Sequence, residues 1–157
     1  MSIIFGKMKA VAGLMSFVAM LVTMGAAYAG ADAGTIKDTK GTATIERGDK
    51  KIAAKPGLKV LVSDVVTTGA DSSVGITLND GTLLSAGQNS TLTLNKFAFD
   101  STTTKGVLDA SLKRGTLAVV SGKLSKSSPD AVTYRTPTSI LGVRGTEFVL
   151  EAGTGEK

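Results

Sequence analysis

Arg144 and Glu147 are the charges whose setting most invites chemistry. They stand in the stretch Ala131 to Glu151 (AVTYRTPTSILGVRGTEFVLE), with Gly142 and Gly145 on either side of the Val143-Arg144 pair. A guanidinium is a rigid fork of donors that matches a carboxylate at two points. The fork has two uses here. It can satisfy loop carbonyls or a carboxylate of the same chain, such as Asp80, locking the last strand to a hairpin. It can instead be presented to a carboxylate on a partner. Residues three apart in a strand face opposite sides, so Arg144 and Glu147 are not an obvious pair. Gly142 and Gly145 admit either an anion-binding nest of backbone N–H groups or a bulge or tight bend.

Other constellations carry less. Ser125-Lys126-Ser127-Ser128 places serine beside lysine, but serine–lysine chemistry wants a buried lysine of lowered pKa. A run between Gly122 and Pro129 reads as a solvated loop. Asp80-Gly81 reads as turn chemistry, since a single carboxylate falls short of calcium's six to eight oxygen ligands. Asp64, Asp71 and Asp100 are scattered and read as turn residues. The chain has no histidine, no cysteine and no tryptophan. Histidine-based nucleophile systems, most zinc sites and disulfide staples are thereby excluded. No catalytic residue, metal or cofactor is expected, and the chain reads as non-enzymatic.

The elements that must position Arg144 and Glu147 begin after a leader. Lys7 and Lys9 precede the uncharged run Ala10 to Met24, and Ala27-Tyr28-Ala29 supplies small residues for signal-peptidase cleavage after Ala29. An uncleaved anchor is the rival reading of the same run. Residues 1–29 are expected as a signal peptide, residues 30–40 as a flexible leader, 41–151 as the folded domain and 152–157 as a polar tail. Without the leader lysines the net charge falls from +5 to +3. That is too mild and scattered for a nucleic-acid footprint. Beyond the leader no apolar run approaches membrane length, so no membrane span is expected in the mature chain.

The domain reads as strands throughout. Leu58 to Thr68 (LKVLVSDVVTT) is apolar and β-branched. Val74, Ile76 and Leu78 alternate with small or polar residues, Asp80-Gly81 makes a hairpin, and Thr91 to Leu94 alternates again. Val107 to Lys113 reads as a strand or a single helical turn, and Thr116 to Ser121 as a strand. Val132, Tyr134 and Thr136 share one face, Pro137 interrupts, and Phe148-Val149-Leu150 resumes. The 19 glycines in 157 residues, well above the usual ~7%, suit tight turns and close strands. The pattern predicts a single all-β domain of about nine or ten short strands, as a two-sheet sandwich or a short β-solenoid-like stack.

Four blocks give the chain a resemblance to the FecR domain family: Gly41 to Arg47 (GTATIER), Val65 to Ser72 (VVTTGADS), Ile76 to Ser90 (ITLNDGTLLSAGQNS) and Tyr134 to Val149 (YRTPTSILGVRGTEFV). The last is the most specific. The family's motif residues map to Asp80, Gly81, Pro137, Gly142, Gly145, Thr146 and Phe148 as structural positions. The resemblance implies an envelope-side all-β module, not an enzyme; the expected role is to bind an envelope protein or the cell wall through a sheet edge or hairpin loops. It also implies a periplasmic or secreted location. Signalling alongside a separate membrane anti-sigma regulator, or self-assembly into a homo-oligomer, are the alternatives. Arg144 and Glu147 are the candidate binding residues.

Overall fold

A computed structural model of the chain describes residues 30–153. The expected signal peptide lies outside the described residues. Twelve strands form one hydrogen-bonded sheet. They are β1 (Asp32–Lys40), β2 (Ala43–Arg47), β3 (Lys50–Ala53), β4 (Lys59–Leu61), β5 (Val65–Thr68), β6 (Ser73–Leu78), β7 (Leu83–Ala86), β8 (Thr91–Phe99), β9 (Gly106–Val120), β10 (Val132–Arg135), β11 (Ile140–Gly142) and β12 (Glu147–Ala152). Nine of them follow the order β3-β2-β5-β8-β9-β7-β6-β1-β4. The other three line the opposite flank of β9. There β10 runs parallel to its first half, with β11 beyond, and β12 runs antiparallel to its second half.

The all-β single domain is as expected. The sheet is continuous and curls into a half-barrel, because β7 and β8 both pair with β9 along one side. Leu83 to Ala86 oppose Val120 to Leu117, and Thr91 to Phe99 oppose Arg114 to Gly106. The two short strands together therefore track the whole of β9. Between them Gly87 to Ser90 leaves the ladder, and the ribbon turns a corner. Each half then carries its own neighbours, and the apolar faces meet. Leu84, Leu117, Val119, Ile76 and Leu78 from one half face Leu92, Leu108, Leu112, Val66 and Ile45 from the other in a single buried core.

The corner is held by polar groups gathered on one buried serine. Ser90 is fully buried. Its Oγ accepts from the Thr116 N–H at 3.0 Å and donates toward the Thr116 carbonyl at 3.1 Å. Its N–H donates to Thr68 Oγ1 at 2.9 Å. Opposite sits Gly115 with φ of +94°, and a Cβ there would lie 2.1 Å from Ser90 Oγ. An L side chain meets both the left-handed backbone penalty and a collision.

Three local readings are corrected. The flexible leader is strand β1, paired with β4 and β6, with Ala33 and Ile36 buried. Its register shifts between Asp32 and Gly34 and again between Ile36 and Asp38. Such bulges reset the phase, so a period-two apolar pattern never appears. The polar tail begins one residue late, since Ala152 closes β12 and is buried. The loop at Gly122 to Asp130 contains a helical turn, α1 (Lys123–Ser127), and a 3-10 turn at Pro129–Ala131. α1 is too short to form alone, and its cap comes from far away. Asp80 accepts from the Leu124 N–H at 3.2 Å through Oδ2 and from the Lys123 N–H at 2.9 Å through its carbonyl.

Gly115→Ala should destabilise the protein by about 2–4 kcal/mol, the sum of a left-handed alanine and overpacking. Gly81→Ala, at a φ of +87° with nothing within 4 Å of the new Cβ, should cost only about 1 kcal/mol. Denaturant unfolding of both variants checks the difference; equal losses would remove the corner's special role.

Candidate functional site

The stretch that carries Arg144 and Glu147 is anchored by its first strand. Tyr134 is fully buried, between Ala110 of β9 and Leu141 of β11 in register. Phe148 meets it edge to face, with ring centroids 5.1 Å apart and planes at 72°. Such a pair adds about 0.5–1.5 kcal/mol beyond the area buried. Burial, and then the charge of Asp80, raise the Tyr134 pKa. The phenol therefore stays neutral across physiological pH. Thr136 and Ser139 exchange backbone hydrogen bonds at 2.8 and 3.4 Å around Pro137-Thr138. Proline costs nothing there, because the turn needs no donor from it.

Beyond that hairpin the chain faces outward. Arg144 is not a buried fork and does not reach Asp80. Its side chain is 80% exposed and meets Asp130, itself exposed, at 3.3 Å. The Asp80 carboxylate is fully engaged without it, accepting from the Thr82 N–H at 3.0 Å, Thr82 Oγ1 at 2.8 Å and α1. The turn role of Asp80-Gly81 is seen directly: the Leu78 and Gly81 N–H groups close it at 2.8 and 2.9 Å. Gly142 and Gly145 are exposed, neither has a left-handed φ, and a Cβ at either would touch nothing. No steric need for glycine exists at either position. Thr146 begins the pairing of β12, its carbonyl accepting from the Ser121 N–H at 2.7 Å. Glu147 is exposed, opposite Val120. Arg144 and Glu147 are thus neighbours on one surface without touching each other.

The ion pairs on buried carboxylates lie elsewhere. Arg47 donates to both oxygens of Asp64 at 2.9 and 2.7 Å, and Asp64 also accepts from the Leu61 N–H at 2.8 Å. Asp64 is 1% exposed, so it is a cross-tie rather than a simple turn residue. Its hydrogen bond raises the Arg47 pKa above the ordinary value. The pair lines a cleft of about 570 Å³, with Leu61, Val62, Phe97 and Lys96 around it. A second network joins Arg135 to both oxygens of Asp109 at 3.1 Å, with Asn95 bridging Asp109 at 3.0 Å and Ser111 at 2.6 Å. Burial alone pushes the Asp109 carboxyl up. The hydrogen bonds from Arg135 and Asn95, with the charges of Arg135 and Lys96, outweigh it, and the net pKa is lowered.

Neither network was legible in the sequence. Arg135 and Asp109 are 26 residues apart, and their meeting depends on the parallel pairing of β10 with β9. The serine–lysine run has Ser125 buried and Lys126 exposed in α1, while Ser127 Oγ bonds the Lys123 and Thr104 carbonyls. The lysine therefore lacks the buried setting that serine activation needs. Among the described residues no three acidic groups converge as a metal site would require.

The family model described as "FecR protein" matches residues 64–157, more than half of the chain. The Gly41 to Arg47 block falls outside the matched range, although Arg47 is bound to Asp64 at its first residue. No curated protein and no solved structure matches the chain.

Two outcomes follow from this geometry. Arg144→Ala should shift stability by less than about 1 kcal/mol, as exposed ion pairs do; a larger loss in denaturant unfolding would mean the guanidinium is structural. Arg135→Ala should lower the melting temperature at neutral pH. A folded pKa below the unfolded one gives stability that is present above the unfolded value, about 3.9, and is lost as pH falls through the folded value. The gap to wild type should therefore close below about pH 4. A gap unchanged in acid would show that the arginine acts through packing.

Proposed function

Because the chain belongs to the FecR protein family, we propose that it is a non-enzymatic binding and scaffold module of the cell envelope. The family is one of signalling-related regulator domains. In this reading the leader directs export and is removed after Ala29, and the domain recognises an envelope protein or the cell wall from the periplasmic or secreted side. Among the described residues no helix is long and apolar enough to cross a membrane.

One observation carries the reading. Among the described residues the exposed large hydrophobics are Val120, Ile140, Leu141 and Val149. All four lie on the end of β9, on β11 or on β12, the flank that also holds Arg144 and Glu147. Exposed apolar side chains along one flank of a sheet suit an interaction surface. The side chains stand on ladder-bonded strands rather than on long loops, so little ordering entropy opposes their engagement. Relay of a signal to a separate membrane regulator uses the same surface and follows from the family's signalling character.

The full chain carrying an affinity tag, incubated with a detergent-solubilised envelope extract, should retain a discrete envelope component. Ile140→Ser combined with Leu141→Ser should reduce that retention while leaving the melting curve within about 1 kcal/mol of wild type. Retention unchanged by the double substitution would remove this flank as the binding surface. Retention of the chain's own copies alone would replace the module reading with self-assembly.

A further inference from the structure

The outer edge of β12 has hydrogen-bonding groups that the fold leaves unused. Ser121 donates to the Thr146 carbonyl, and residues 121 and 146 are opposed in the register that places Glu147 against Val120. Bonded and non-bonded pairs alternate along an antiparallel ladder. Phe148 against Val119 and Leu150 against Leu117 therefore carry the bonds to β9. The N–H and C=O groups of Glu147, Val149 and Glu151 point the other way. The far side of β9 has the complementary phase, since the Thr116 carbonyl accepts there from Gly87 at 3.0 Å. Among the described residues β12 pairs with β9 alone.

The side chains of the same three residues share the outer face of the sheet. Val149 is 71% exposed, with a carboxylate two residues to either side. Beside it Ala118, Val120 and Phe148 line a shallow depression of about 320 Å³. The edge thus reads acid, apolar, acid at period two, with a backbone donor and acceptor at each position.

We infer that β12 docks an extended segment of a partner protein with the pattern basic–x–apolar–x–basic, added as one more antiparallel strand. The inference rests on the reading of the protein as a binding module. The segment's backbone bonds Glu147, Val149 and Glu151, its apolar side chain covers Val149, and its cations lie opposite the two carboxylates. A second copy in the same central register does not fit. Two β12 strands paired antiparallel about Val149 put Glu147 opposite Glu151, and like charges directly opposite are destabilising. The two glutamates also keep the edge from pairing unselectively.

The test uses the full-length protein and labelled peptides built on Lys-Thr-Val-Thr-Lys, on Glu-Thr-Val-Thr-Glu and on a scrambled basic control. Anisotropy at low salt should show the first binding at least about tenfold more tightly than the others. Glu147→Lys combined with Glu151→Lys should reverse the preference. Val149→Pro removes an N–H that β9 does not use, as proline on a strand edge can. It should weaken the basic peptide by about tenfold or more while the melting temperature holds. Equal binding of basic and acidic peptides would overturn the inference, as would wild-type affinity in Val149→Pro. If Val149→Pro fails to fold, the charge reversal decides alone. A dimer in sedimentation that the charge reversal alters would assign the edge to a second copy and overturn it too. Envelope retention that survives both sets of β12 substitutions, with peptide binding absent, keeps the module reading and rejects this edge.

Discussion

The bend in the β7–β8/β9 ribbon is the constraint on which the rest of the molecule depends. A straight ribbon of that length would leave its two halves side by side with bare apolar faces. The bend turns them toward each other, and every other strand then follows one half or the other. What makes the bend stable is a buried hydroxyl. Ser90 takes up the Thr116 amide and carbonyl where the ladder is interrupted, and Thr68 takes up the Ser90 amide. Buried backbone groups left without partners would each cost roughly 1–3 kcal/mol. The absence of a side chain at Gly115 is what lets the hydroxyl come so close.

The same economy recurs at three buried or nearly buried carboxylates. Asp64 joins the β2–β3 hairpin to the start of β5. Asp80 joins the β6–β7 turn to α1. Asp109 joins β9 to β10 and β8. In a chain without cysteine these ties replace covalent staples across the sheet. Each is satisfied on several sides, which is the condition under which a buried charge is tolerable. Their cost is specificity of environment: none of the three can be neutralised without leaving donors unpaired.

The strands with alternating apolar residues were readable because one face of each is buried. Val74, Ile76 and Leu78, and likewise Leu92 and Leu94, point into the core as their spacing implies. β1 was not readable because a register shift between Asp32 and Gly34 leaves Ala33 and Ile36 both in the core at a spacing of three. The turn at Asp80-Gly81 was readable from two residues. The reach of Asp80 to Leu124 was not, since it spans 44 positions of chain. Arg144 drew notice by its type and its neighbouring glycines, yet its surroundings are solvent and Asp130. Arg47 and Arg135, without any flag of composition, are the arginines that tie strands together. Local pattern reports which face a residue occupies; it does not report what the opposite strand brings to it.

The flank of β9 has a consequence for the order in which the fold is made. β7, β8 and β9 follow one another in sequence and can close as a local ribbon. The strands that cover the other side of β9 come later, β10 after a helical crossover and β12 last of all. Until Glu147 to Ala152 have joined, the longest strand of the sheet keeps one bare side, and sheets built from distant pairings close slowly. A chain emerging residue by residue would pass through a stage with its central strand half covered. In that stage it is most exposed to pairing with the wrong neighbour.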